Sequence, residues 1–125
     1  MGRWHTVAPM ADVTLFHNPR CSTSRAALAE AEGSGVGVEL VRYLDTPLDE
    51  TQLRELAAKL EDPITDLVRR DATFKELGLT DSDVATLDQV VAILVEHPAL
   101  MQRPVLVRGE RAIIGRPKDR AARFL

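Results

Sequence analysis

Apolar and polar positions alternate along this chain with two distinct periods, and the changes of period mark its elements. Val13-Thr14-Leu15-Phe16 is a short apolar run of the kind that forms a buried strand. From about Ser24 to Glu32 the pattern turns helical, and Gly33-Ser34-Gly35 ends it, with Gly33 suited to a left-handed cap. Val36, Val38 and Leu40 then alternate, which predicts a second strand over Val36 to Tyr43. A strand–helix–strand unit of this size implies parallel pairing of the two strands.

A helical block follows. Thr46 as cap, Pro47 at the first position and acid behind them predict a helix whose buried stripe is Leu53, Leu56, Ala57 and Leu60. Asp62-Pro63 restarts a helix with Ile64, Leu67 and Val68 inside, and Phe74 to Leu77 forms another, closed by Gly78. Thr86-Leu87-Asp88-Gln89 fits a capping box for an amphipathic helix carrying Leu87, Val90, Val91, Leu94 and Val95, which Pro98 stops. The period then returns to two. Pro104-Val105-Leu106-Val107 and Ala112-Ile113-Ile114 flank the turn Arg108-Gly109-Glu110-Arg111, a hairpin pattern, and Pro117 can open a last helix over Lys118 to Phe124. The order β-α-β, helical insert, β-β-α describes an α/β domain: a small mixed sheet flanked by helices, spanning residues 12–125, with the insert at about 47–98 as a lobe. Residues 1–11 read as a disordered leader, with Met10 a candidate functional start and Trp4 outside any site.

Composition narrows the function classes. At 125 residues, 45% hydrophobic and 28% charged, the chain suits one soluble globular domain. A net charge of −3 gives no global basic field for nucleic acid or an anionic membrane. No stretch approaches the ~18 apolar residues of a membrane span, and the N-terminus lacks the apolar core of a secretory signal. A single cysteine, Cys21, forms no internal disulfide, which fits a reducing compartment; the cytoplasm is the expected location.

Cys21 also concentrates the chemistry. It sits in His17-Asn18-Pro19-Arg20-Cys21-Ser22-Thr23-Ser24-Arg25, between the first strand and the first helix. A lone cysteine is often a small buried hydrophobe. This one follows Pro19, precedes three cap-forming residues and has Arg20 and Arg25 beside it, at a helix start whose N–H groups carry partial positive charge. Such surroundings favour the thiolate. Position 24 is Ser24, which excludes Cys-x-x-Cys redox chemistry, and position 27 is Ala27, which excludes the phosphatase loop with its arginine six residues after the cysteine. One cysteine and three scattered histidines (His5, His17, His97) make no metal site, and no Gly-rich nucleotide fingerprint is present.

Arginines from elsewhere in the chain are candidates to meet Cys21. Arg103 precedes Pro104 at a strand start, and Arg116 precedes Pro117 after the hairpin's second strand; the pre-proline position favours extended backbone that projects the side chain off a strand end. Arg69 and Arg70 lie at the end of an insert helix; Arg69 is the candidate of the two, whereas Arg70, Arg108 and Arg111 read as surface charges. Several guanidinium forks around one thiolate suit a tetrahedral oxyanion. Acidity alone is a minor device, because nucleophilicity falls with thiol pKa at a Brønsted slope of ~0.4–0.5 and cancels much of the gain in thiolate. Holding the anion in attack geometry contributes more. His17 is either a thiolate support or a backbone-bonded histidine, Ser24 a cap or a hydrogen-bond donor to the sulfur, and Thr23 a cap.

The run His17 to Arg25 resembles the active-site loop of the glutaredoxin-coupled arsenate reductase (ArsC) family. So do Tyr43-Leu44-Asp45-Thr46-Pro47, the stretch from Arg69 to Lys75-Glu76-Leu77-Gly78-Leu79, His97-Pro98 through Arg103-Pro104-Val105, and Ile114-Gly115-Arg116-Pro117. The resemblance covers about residues 12 to 125, in order. It implies a thioredoxin-like fold with a helical insert, Cys21 as nucleophile on arsenate, and Arg69, Arg103 and Arg116 as oxyanion ligands. From their own place in the turn His17 and Ser24 are candidates to support the thiolate; the fold that the resemblance implies leads us to expect a cis bond at Arg103–Pro104. It further implies glutathione as co-substrate and glutaredoxin as protein partner, with no tightly bound cofactor or metal. Characterised members often have glycine after the cysteine, where this chain has Ser22. Two other readings therefore stand beside the first: a glutathione-dependent thiol oxidoreductase of another substrate, and a regulator of the Spx type that binds RNA polymerase. The latter commonly carry Cys-x-x-Cys, against which Ser24 argues.

Overall fold

Single-residue alternation along the strands divides the side chains between two apolar layers. The computed structural model describes residues 12–125; the expected leader and its Met10 start lie outside the described residues. Strands β1 (Val13–His17), β2 (Val38–Arg42), β3 (Val105–Arg108) and β4 (Arg111–Ile114) form one sheet in the order β2-β1-β3-β4. β1 pairs in parallel with β2 and antiparallel with β3, and β3 with β4 is antiparallel. On one face Val13, Leu15, Leu106 and Ile113 pack with Ala27 of α1 (Ser22–Gly33) and with Ala121 and Phe124 of the last helix. On the other, Phe16, Val105, Val107, Ala112 and Ile114 meet the apolar faces of the segment between β2 and β3. The period of two along a pleated strand produces this sorting.

The β2–β3 segment carries α2 (Glu50–Lys59), α3 (Ala72–Glu76) and α4 (Leu87–Glu96), with 3₁₀ turns at Ile64–Leu67, Asp81–Val84 and Pro98–Leu100. Leu53, Leu56, Val90, Val91 and Leu94 are buried here, each contributing about 1.5–3 kcal/mol of transfer free energy. The capping box Thr86–Gln89 forms as expected. α2 starts three residues later than Thr46-Pro47 suggested. Asp49 is its cap, because the Asp49 carboxylate accepts from the Gln52 N–H at 2.8 Å while Gln52 Oε1 accepts from the Asp49 N–H at 3.0 Å. The reciprocal pair satisfies two orphan donors where Thr46 would satisfy one.

α1 begins at Ser22, two residues earlier than the pattern suggested, and the left-handed residue after it is Gly35 (φ 81°), with Gly33 still helical. α5 (Asp119–Phe124) closes the chain. This is the thioredoxin-like α/β arrangement with its helical block between the second and third strands. Among the described residues no helix is long and apolar enough to cross a membrane. The free edge of β4 is covered by the chain leaving α2: Leu60 bridges Ala112 in parallel, and the Glu61 N–H donates to the Ala112 carbonyl at 2.8 Å. An edge covered in this way cannot template pairing with another chain.

Candidate active site

Sheet register brings the site together. β1 runs antiparallel to β3 with Phe16 opposite Val105, so the turn after β1 emerges beside the start of β3. In the hairpin Val105 is opposite Ile114, and the pairing continues past the strands: the Gly115 N–H donates to the Pro104 carbonyl at 2.8 Å, and Arg116 Nε donates to the Arg103 carbonyl at 2.8 Å. Arg103 and Arg116 therefore face each other at the sheet end where Cys21 sits. Both Arg103–Pro104 and Arg116–Pro117 are cis; the first was expected, the second was not.

Asn18 shapes the cysteine turn. Its carbonyl accepts from the Cys21 N–H at 3.0 Å and its Oδ1 from the Arg20 N–H at 2.9 Å, while Arg25 Nη1 donates to the Pro19 carbonyl at 2.9 Å. Cys21 is the N-cap of α1, a position whose side chain faces the N–H groups of the first turn. Burial pushes the thiol up, but the N–H groups of Ser24 and Thr23, then the Arg103 guanidinium, then the charge of Arg116 pull it down, and the net direction is below the ordinary thiol value. Cys21 stays partly exposed, with Arg116 Nη2 3.4 Å from its Sγ.

The other candidates fall in three places. Arg103 is beside Cys21, and its Nη1 donates to the Ala99 carbonyl at 3.1 Å. Arg69 lines a cleft of about 190 Å³ with Arg70, Asp71, Gln102 and Arg116, its Nε 3.4 Å from Asp71 Oδ2. Of the adjacent pair it is Arg70 that is tied up structurally, donating to the Thr65 and Val68 carbonyls at 2.5 and 2.6 Å and to Asp81 at 3.3 Å.

His17 and Ser24 face one another. His17 Nδ1 and Ser24 Oγ share a buried hydrogen bond of 2.7 Å, and Ser24 Oγ also accepts from the Asn18 N–H at 3.0 Å. Burial, reinforced by the charges of Arg42 and Arg25, holds His17 below its ordinary value, so it is neutral at pH 7. Ser24 reaches the sulfur through its backbone N–H, while its hydroxyl serves the histidine.

Three residues were not singled out from the sequence. Tyr43, 1% exposed, interacts with Arg103 and Asn18 from beneath the site, and its hydroxyl donates to the Met101 carbonyl at 3.4 Å. Asn18 was signalled by the turn-forming Asn-Pro dipeptide. Gly115 has no room for a side chain: a Cβ there would lie 2.8 Å from Pro104 Cγ and 2.9 Å from Leu106 Cδ1.

A lowered thiol between two opposed guanidinium groups, beside a cleft lined by a third, can bind a small tetrahedral oxyanion and attack its central atom. A family model described as the ArsC family matches residues 16–124. An arsenate reductase of Neisseria meningitidis serogroup A is 40% identical over 112 residues, covering 88% of this chain and 95% of its own. An Escherichia coli arsenate reductase is 33% identical over 111 residues, covering 88% of this chain and 78% of its own. Among solved structures, an arsenate reductase from Vibrio cholerae superposes with a TM-score of 0.80 at 34% identity, covering 90% of this chain and 97% of its own.

Proposed function

The chain belongs to the ArsC family, and on that premise we propose that it is an arsenate reductase that uses Cys21 as nucleophile and takes its electrons from glutathione and glutaredoxin. The observation that carries the reading is the 3.4 Å approach of Arg116 Nη2 to Cys21 Sγ. A thiolate and an anionic substrate repel. For two unit charges at 4 Å the cost is about 4 kcal/mol in a partly buried setting, so the arginines must neutralise the encounter. Arg103 and Arg116 hold two edges of the oxyanion, and Arg69 approaches from the cleft that Arg116 also lines.

The electron balance needs two external thiols. The Cys21 thiolate displaces one hydroxyl of arsenate as water, forming a sulfur–arsenic bond with arsenic still pentavalent. Glutathione displaces a second hydroxyl in the same way. A glutaredoxin thiolate then attacks the glutathione sulfur; the disulfide takes both sulfurs and leaves two electrons on arsenic, now trivalent. Water cleaves the remaining bond, releasing arsenite and restoring Cys21. A protein with one cysteine fits this division of labour, because it holds no resolving thiol of its own. Reduced glutathione is a cytoplasmic resource, which is the location we propose. His17, neutral and bonded to Ser24, acts on the turn that carries Cys21 and not as a charge beside the sulfur.

The test is arsenite release in the presence of glutathione and glutaredoxin, against a Cys21→Ser variant that is expected to be inactive. Turnover no greater than that of Cys21→Ser would reject the proposal. If arsenate then fails to slow alkylation of Cys21 while glutathione disulfide modifies it readily, the chemistry is that of a thiol oxidoreductase with another substrate.

A further inference from the structure

Asp62 belongs to the segment that leaves α2 and crosses the edge of β4, remote in sequence from Cys21, Arg103 and Arg116. Its Oδ2 accepts from the Ile114 N–H at 2.9 Å. Its Oδ1 accepts from Arg120 Nη1 at 2.5 Å, and the same nitrogen donates to the Ile114 carbonyl at 2.9 Å. Both backbone groups of Ile114 are thus held by one ion pair, between an insert residue and a residue of α5. The pair is partly buried, with side-chain exposures of 14% for Asp62 and 29% for Arg120. An exposed pair of this kind contributes little, but this one also satisfies backbone donor and acceptor groups.

Ile114 is the last residue of β4, and Gly115-Arg116 follows it directly. On the β3 side this tail is held by the Gly115 N–H on Pro104 and Arg116 Nε on the Arg103 carbonyl. Gly115 lies so close to Pro104 and Leu106 that the tail cannot move toward β3. The Asp62–Arg120 clamp restrains it on the opposite edge. We propose that Asp62 is a positioning residue for Arg116, fixing through Ile114 the seat from which the Arg116 guanidinium reaches Cys21. The inference rests on the oxyanion-binding reading of Arg116, but part of its test does not need arsenate.

The experiment compares wild type, Asp62→Ala and Asp62→Asn by three measurements: thermal unfolding, the pH profile of Cys21 alkylation, and the arsenate concentration that half-protects Cys21. If Asp62 positions Arg116, Asp62→Ala moves the alkylation midpoint upward and slows alkylation at pH 7 about two- to threefold. The half-protecting arsenate concentration rises about tenfold, the size of one lost charge-assisted hydrogen bond. Asp62→Asn keeps an oxygen for the Ile114 N–H and recovers most of both effects. In an Arg116→Leu background, Asp62→Ala adds little to either. A folded Asp62→Ala protein that melts earlier but keeps the wild-type midpoint and protection overturns the proposal, leaving Asp62 as a tether of the insert. Should Asp62→Ala not fold, Arg120→Gln cuts the other half of the clamp and carries the same comparison. If arsenate protects not even the wild type, the arsenate reading fails, and the alkylation midpoint alone still decides the role of Asp62.

Discussion

Arg116 Nη2 lies 3.4 Å from Cys21 Sγ, although 95 residues separate the two in sequence. The contact exists because β1 and β4 both flank β3, so that the turn after β1 and the tail of β4 leave the sheet at the same end. Arg116 spends its Nε on the Arg103 carbonyl and its Nη2 on the sulfur, a forked arrangement that lysine cannot copy. Arg116→Lys is therefore expected to lose arsenate protection of Cys21 by about tenfold or more, close to the loss in Arg116→Leu. Alkylation titrations across arsenate concentration check this, and full protection in Arg116→Lys would show that a point charge suffices.

Ser24 separates the backbone from the side chain in supporting the sulfur. Its N–H lowers the thiol, while its hydroxyl joins His17 Nδ1 and the Asn18 N–H. Ser24→Ala keeps the former and loses the latter. The variant is expected to be less stable by about 1–3 kcal/mol, the cost of leaving buried partners unmade, while its alkylation midpoint stays at the wild-type value. Denaturant unfolding and the alkylation pH profile measure the two separately.

His17 makes the fold acid-sensitive. Burial depresses its pKa in the folded state below the 6.5 of a free histidine, so the unfolded chain binds more protons as the pH falls. Its contribution is present above about pH 6.5 and is lost as the pH drops through the lower, folded-state value. His17→Gln, which cannot take up that proton, is expected to show a flatter stability curve over this window, whatever its stability at pH 8. Unfolding free energies from pH 8 to pH 5 give the slope.

Local patterns in the sequence carry most of the fold. The strands, the Thr86–Gln89 box and the hairpin follow from period and turn chemistry. The start of α2 was misplaced because two cap signals overlap, and the reciprocal Asp49–Gln52 pair prevails over Thr46-Pro47. At the site, Arg103 and Arg116 are legible because they sit at mirror positions about the Gly109-Glu110 turn, so hairpin register alone sets them face to face. Asp62 was not legible: its partner Ile114 is 52 residues away, and nothing in an Asp-Pro pair distinguishes a helix restart from a clamp. Ser24 was recognised, but the direction of its hydroxyl depends on the buried place of His17, which only packing determines.

Gly115 tests the close packing beneath the two arginines. An added Cβ would meet the rigid Pro104 ring at 2.8 Å, so the neighbours must shift. Gly115→Ala is expected to cost about 1–3 kcal/mol of stability and to weaken arsenate protection through displacement of Arg116. Thermal unfolding and alkylation together report the pair of effects; a stable variant with wild-type protection would show that the contact yields without consequence.

The most direct measurement is the rate of Cys21 alkylation as a function of pH, with and without arsenate. A single thiol makes the signal unambiguous. The expected profile has a midpoint below that of an ordinary cysteine, and saturating arsenate slows the reaction at neutral pH. A midpoint at or above the ordinary thiol value, with a rate indifferent to arsenate, would contradict an oxyanion held between Cys21, Arg103 and Arg116.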